Sequence, residues 1–274
     1  MDSFERDGLR FDVRDAGPRG GDIVVMLHGF PQDAGAWDDV APRLHRAGLR
    51  TLAPDLRGYS PEASPPARSA YTANEWTADL VALLDAAGAD RAHLVGHDWG
   101  GAVVWTVAGR HPERVSSAVV LSTPHPSALT RSLFTSSQAL RSWYVALFQL
   151  PALPELLLAR SLCRILVAGG LPEAAAQRYT ARLRRPGALT CALNWYRGLP
   201  GSLLSPVPVC PVATTYIWGR DDPALGRVAA ETTGRHVTGP YRFVELAAGH
   251  WLPETRPREI TTVILSRVLG PDRT

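Results

Sequence analysis

Leu94-Val95-Gly96-His97-Asp98-Trp99-Gly100-Gly101 is the stretch whose reading decides the fold. An apolar run, Ala92 to Val95, leads into it, and a second, Ala102 to Ala108, leaves at helix-compatible spacing, so it reads as strand, sharp turn, helix. Asp98 stands at the tip, with Gly96 and Gly100 two residues away on either side and Gly101 following. That small-x-nucleophile-x-small spacing is the pattern of a strained strand-to-helix elbow, whose usual tip residue is Ser. A carboxylate at the same place attacks carbon directly and forms an ester that water must later cleave. An Asp before a helix is also a common N-cap, so the residues around Asp98 have to choose between the two.

Working outward, strands and helices alternate on both sides of the elbow. Asp22 to Leu27 is a continuous apolar run of strand length, ending in His28-Gly29-Phe30-Pro31. Trp37, Val40 and Leu44 suggest a helix that ends before Gly48, Leu49 to Pro54 reads as a second buried strand, and Thr72 to Ala87 as a helix with Trp76, Leu80 and Leu83/Leu84 on one face. Residues 4 to 16 alternate weakly around Gly8, as an edge hairpin would. After a strand at Val115 to Leu121 the alternation stops. From about 125 to 207 the chain is helix-like and broken by Pro and Gly pairs. Alternation resumes with a strand at Ala213 to Trp218, a helix at Ala224 to Thr232, a strand at Tyr241 to Leu246 and a helix at Pro257 to Leu269. The expectation is an α/β fold: a mostly parallel, doubly wound sheet formed by residues 1–124 and 208–274, with a helical cap, 125–207, inserted over it. Ligands of such sheets sit at the carboxyl ends of the strands, where His28 to Pro31, Asp55 to Ser60 and Asp98 would meet.

Composition narrows the function. All 29 basic residues are Arg and they are scattered, so the pI near 9.0 does not signal a nucleic-acid partner. Cys163, Cys191 and Cys210 are odd in number and lack the spacing of disulfides or zinc ligands. No run of 18 apolar residues and no leader pattern occurs, so no membrane span and a cytoplasmic location are expected. The oligomeric state leaves no signature.

A nucleophilic carboxylate needs N–H groups for the oxyanion, a base for the water and an acid for the leaving oxygen. The N–H of Trp99 and one from the 28–30 loop are placed to supply the first. Trp218-Gly219-Arg220-Asp221-Asp222-Pro223 and Gly249-His250-Trp251 follow the last two strands, so nucleophile, acid and histidine occur in the order this fold class uses.

With these motifs the chain resembles the α/β-hydrolases, and among them the epoxide hydrolases. His28-Gly29-Phe30-Pro31, the Asp-Trp elbow, Trp218 to Asp222 and Gly249-His250-Trp251 match in order and approximate spacing over nearly the full length. The resemblance implies Asp98 as nucleophile, His250 as base and Asp222 as its orienting acid. Asp222 is preferred over the adjacent Asp221 because it lies three residues after Gly219. It also implies two cap tyrosines as proton donors. Trp143-Tyr144-Val145-Ala146-Leu147-Phe148-Gln149 and Leu193-Asn194-Trp195-Tyr196-Arg197 resemble the segments that carry them, which maps the donors to Tyr144 and Tyr196. A phenol of pKa about 10 is a far better donor to an alkoxide than water. Phe30, Trp99, Trp143, Phe148, Trp195 and Trp251 are the expected pocket lining, suiting an apolar or aromatic epoxide, and no metal or organic cofactor is required.

Two other readings remain. Dehalogenases share the Asp nucleophile, but haloalkane enzymes resembling this elbow usually carry Asn where Phe30 stands, and haloacetate enzymes Arg where Trp99 stands. A ligand-binding protein that keeps the fold without turnover is the other. His28 and His97 read as loop-holding hydrogen bonders, and Arg57 as the partner of a nearby carboxylate.

Overall fold

The structure, a computed structural model, describes residues 1–202 and 206–270; residues 203–205 of the expected cap and 271–274 of the expected core lie outside the described residues. Eight strands form one sheet in the order β1-β2-β4-β3-β5-β6-β7-β8. They are β1 Ser3–Arg6, β2 Leu9–Ala16, β3 Ile23–Leu27, β4 Arg50–Pro54, β5 Ala92–His97, β6 Val115–Leu121, β7 Thr214–Gly219 and β8 Tyr241–Leu246. The first two are antiparallel, as a hairpin at the edge; all pairings from β4 to β8 are parallel. The edge hairpin turns at Asp7-Gly8, both at positive φ.

The inner strands β3 to β7 bury both faces, as their continuous apolar runs require. In β3, Val25 and Leu27 enter one core with Trp105, Leu83 and Leu84, while Val24 and Met26 enter the other with Trp37, Leu44 and Ile264. The first core is covered by α2 (Ala73–Ala86) and α3 (Trp99–Arg110), the second by α1 (Ala41–Arg46) and a helix near the C-terminus, Pro257–Leu269. Arg57 does pair with a buried carboxylate: Nε and Nη2 reach Asp79 at 2.8 and 2.6 Å.

Between β6 and β7 the chain is helical: α4 Pro126–Thr135, α5 Gln138–Arg141, α6 Trp143–Phe148, α7 Leu153–Ala168, α8 Glu173–Leu183, α9 Ala188–Arg197 and α10 Leu199–Ser202. After β7 come α11 Arg227–Thr232, α12 Leu252–Thr255 and α13 Pro257–Leu269. Two helices are shorter than their sequence suggests. Trp37 closes a 3₁₀ turn whose start is capped by Asp33, and α1 begins only at Ala41, with Pro42 in its first turn. Residues 224–226 are not helical, because the Asp222 carboxylate takes the N–H groups of Ala224 and Leu225 at 2.8 and 3.0 Å.

Candidate active site

Asp98 sits between β5 and α3 at φ 51°, ψ −119°. A non-glycine residue there stores about 1–3 kcal/mol of strain, which the surrounding packing must hold. The glycines make that packing possible: a Cβ on Gly96 would collide with the Gly100 carbonyl, and one on Gly100 with the Leu27 carbonyl at the end of β3. The Thr123 hydroxyl, just past β6, donates to the Asp98 carbonyl at 2.6 Å. The side chain makes no capping hydrogen bond to α3, which removes the N-cap alternative. Its Oδ1 instead accepts the Phe30 N–H at 2.8 Å, from the loop that follows β3.

Two further strand ends bring the remaining charges. His250, four residues past β8, places Nε2 3.7 Å from Asp98 Oδ2 and Nδ1 2.8 Å from Asp222 Oδ2. Asp222 is fully buried at the end of β7, and its other oxygen is held by the two N–H groups named above. Asp221 points outward, its side chain 68% exposed and 3.9 Å from Arg220. Since a carboxylate can only accept, His250 donates from Nδ1, which turns Nε2 toward Asp98. Burial opposes charge on His250, but Asp222, Asp98 and Glu254 outweigh it and raise the imidazole to about 9. Burial raises Asp98, against the His250 charge and the N–H groups of Phe30 and Trp99, which favour the carboxylate.

Across from Asp98 stand two phenols from the helices between β6 and β7. Tyr196 on α9 packs edge-on against Trp99 (ring centroids 5.0 Å) and Phe30 (5.5 Å), and Tyr144 on α6 lies 6.0 Å from Tyr196. Burial, and after it the Asp98 charge, raises the pKa of both. Neither hydroxyl donates to a protein group among the described residues. A cavity of about 680 Å³ opens beside them, lined by Asp98, Trp99, Tyr144 and Tyr196 together with Trp76, Leu129, Val145 and Val207.

The expected aromatic lining needs correcting. Trp143 is 64% exposed on the outer side of α6, because the adjacent Tyr144 takes the inward direction. Phe148 and Phe30 stand behind Tyr196 (4.9 and 5.5 Å) rather than on the cavity wall. Trp195 is likewise set back; it stacks on Trp76 at 4.9 Å and donates to the Arg57 carbonyl at 2.8 Å. Trp251 packs against His250 and His97. Of the six aromatics only Trp99 lines the cavity, and Trp76 on α2 joins it.

Behind the reacting groups runs a polar network in which His97 holds loops by hydrogen bonding, as expected, while Gln32, Glu254 and Tyr179 were missed. Gln32 Oε1 accepts the Gly29 N–H at 2.9 Å and meets His97 Nδ1 at 2.8 Å, while its Nε2 donates to Glu254 at 2.8 Å. Tyr179 of α8 donates to the same Glu254 oxygen at 2.8 Å. His97 Nε2 and the Ser122 hydroxyl both meet the His250 carbonyl at 2.9 Å. This holds the His28–Pro31 loop and the His250 loop in one register. The available signals were only that Gln32 follows the His-Gly-Phe-Pro stretch and that Glu254 lies four residues after His250.

Residues 22–257 match the family described as alpha/beta hydrolase fold. Epoxide hydrolase A of Mycobacterium tuberculosis is 35% identical, the match covering 97% of this chain and 96% of that one. Epoxide hydrolase 3 of Xenopus tropicalis is 33% identical over 94% of this chain and 74% of its own. Among solved structures, epoxide hydrolase A from Mycobacterium thermoresistibile superposes with a TM-score of 0.85 at 31% identity, covering 98% of this chain and 97% of that one. A variant of an epoxide hydrolase from Bacillus megaterium, complexed with its product (R)-3-[1]naphthyloxy-propane-1,2-diol, gives 0.86 at 25% identity, covering 97% and 99%. With its elbow, strand order and nearly full-length likeness to these enzymes, the chain belongs to the α/β-hydrolase family and, within it, to the epoxide hydrolases.

Proposed function

We propose that the chain converts an apolar or aromatic epoxide to a vicinal diol through an ester on Asp98, with residues 125–207 acting as a cap over the core and the enzyme working in the cytoplasm. The observation that carries the reading is the placement of the Asp98 carboxylate between the His250–Asp222 pair and two phenols across one cavity. Oδ1 is occupied by the Phe30 N–H, so Oδ2 is the attacking oxygen. It bonds to one ring carbon, that carbon's bond to the epoxide oxygen breaks, and Tyr144 or Tyr196 protonates the released oxygen. His250 then takes a proton from water, and the hydroxide adds to the ester carbon. The oxyanion at Oδ1 is held by the N–H groups of Phe30 and Trp99. Collapse restores the carboxylate, frees the diol and returns the proton to the phenolate.

The charges time these steps. While Asp98 is ionised it helps keep His250 protonated and both phenols high. Ester formation removes that charge, so the phenols become stronger acids as the alkoxide appears, and His250 releases its resting proton to solvent and becomes a competent base, regaining a proton from solvent when the carboxylate is restored. The apolar character of the cavity wall at Trp76, Trp99, Leu129, Val145 and Val207 supports an apolar substrate. Three free cysteines support a reducing compartment. One turnover in heavy-oxygen water tests the ester: the first diol is expected unlabelled, with label entering Asp98, and label in that first diol rules the route out.

A further inference from the structure

The outer side of the helices between β6 and β7 is unusually apolar. Among the described residues, nine of the eleven exposed large hydrophobic side chains fall within residues 134–167. On α6 and the turn after it, Trp143, Ala146 and Leu150 recur at positions i, i+3 and i+7 on one exposed face. On α7, Leu158, Leu162 and Leu166 face inward, while Leu156, Leu157 and Ile165 face out, Leu156 at 70% exposure. A helix apolar on both sides is normally covered on both.

Charge says what covers it. Residues 126–172 hold four arginines and one carboxylate, Glu155; this excess of three equals the formal net charge of the whole chain, +3. Glu155 is already bound by Arg197 at 2.7 Å, whereas exposed Arg131, Arg160 and Arg164 have no ion-pair partner among the described residues. A second copy packed here about a two-fold axis would set these arginines against one another. An anionic lipid surface complements both features, arginines to the headgroups and Leu, Ile and Trp to the acyl boundary. Insertion across the bilayer is not available: no helix among the described residues is long and apolar enough, and α7, at 16 residues, is about 24 Å long and carries two arginines. Arg131 and Phe134 of α4 connect the face to the site, since both line the cavity that reaches Asp98.

We infer that the outer face of α4 to α7 docks on an anionic membrane surface, with the cavity mouth at that surface. Sedimentation with vesicles of phosphatidylcholine alone, or mixed equally with phosphatidylglycerol, reads this without turnover and so independently of the epoxide reading. The protein is expected to pellet with the anionic vesicles and to be released by salt. Affinity should fall about five-fold for each of Arg160→Gln and Arg164→Gln, and about tenfold or more when Leu156→Ser and Leu157→Ser are combined. All these variants should turn over a water-soluble epoxide as the unmodified chain does; if the serine pair does not fold, the arginine variants carry the test. No pelleting with anionic vesicles, or pelleting indifferent to these substitutions, overturns the inference. So does a dimer in light scattering that the serine pair splits into monomers, because a second copy then covers the face.

Discussion

Asp98 concentrates strain, burial and charge in one residue, and its replacement separates them. Asp98→Asn keeps the shape and the Phe30 contact but removes the attacking anion, so diol formation should drop by about 10⁴-fold or more. The same change deletes one of the charges that hold His250 at about 9, and an NMR titration of the imidazole should show its pKa shifted down. Because the folded value lies above the ordinary one near 6.5, the His250 pairing stabilises the fold fully below about pH 6.5. That contribution is lost as pH rises through about 9. Urea midpoints of the unmodified chain and of His250→Gln should therefore differ most in acid and converge in alkali. Tyr144→Phe and Tyr196→Phe should each slow ester formation by roughly 10²-fold, read in a single turnover, with the ester-hydrolysis step less affected.

Elements position these residues through close backbone approach and buried pairing. Gly100 lets α3 start against the end of β3, so Gly100→Ala should cost about 3 kcal/mol in a denaturant titration and disturb the Asp98 φ on which the site depends. Arg57→Met leaves Asp79 buried with only Arg6, at 2.9 Å, to answer it, and a loss of about 3 kcal/mol is expected by the same measurement. The parallel strands were legible because a strand buried on both faces writes a continuous apolar run. The start of α1 and the missing turn at 224–226 were less so, since Pro42 and the Asp222 carboxylate act on hydrogen bonds that periodicity does not record. On α6, Trp143 and Tyr144 are neighbours about 100° apart on a helix, and which of them faces the cavity depends on where the helix is docked.

For the molecule as a whole, α8 ties the helical insertion to the sheet. Arg182 bridges Asp33, at 3.1 Å, and Asp55, while Arg178 donates to the Gly35 carbonyl at 3.1 Å and Tyr179 to Glu254. Arg182→Gln should loosen this anchor, raising hydrogen exchange in α8 and lowering kcat/KM about tenfold through misplacement of the tyrosines opposite Asp98. What the amino-acid sequence by itself determined is the α/β alternation, the elbow with a carboxylate at its tip, and the order of nucleophile, acid and histidine. Each element and motif is a local pattern, and their order along the chain is read directly from where those patterns fall. The preference for Asp222 over Asp221 and the loop-holding part of His97 were legible in the sequence, but only the tertiary structure decided that Trp76 replaces five of the expected wall aromatics and that Gln32 and Glu254 join His97 in locking two loops together. Those contacts join residues as many as 222 positions apart, and the direction of a side chain across such a distance is set by how helices and strands pack, which no local spacing encodes.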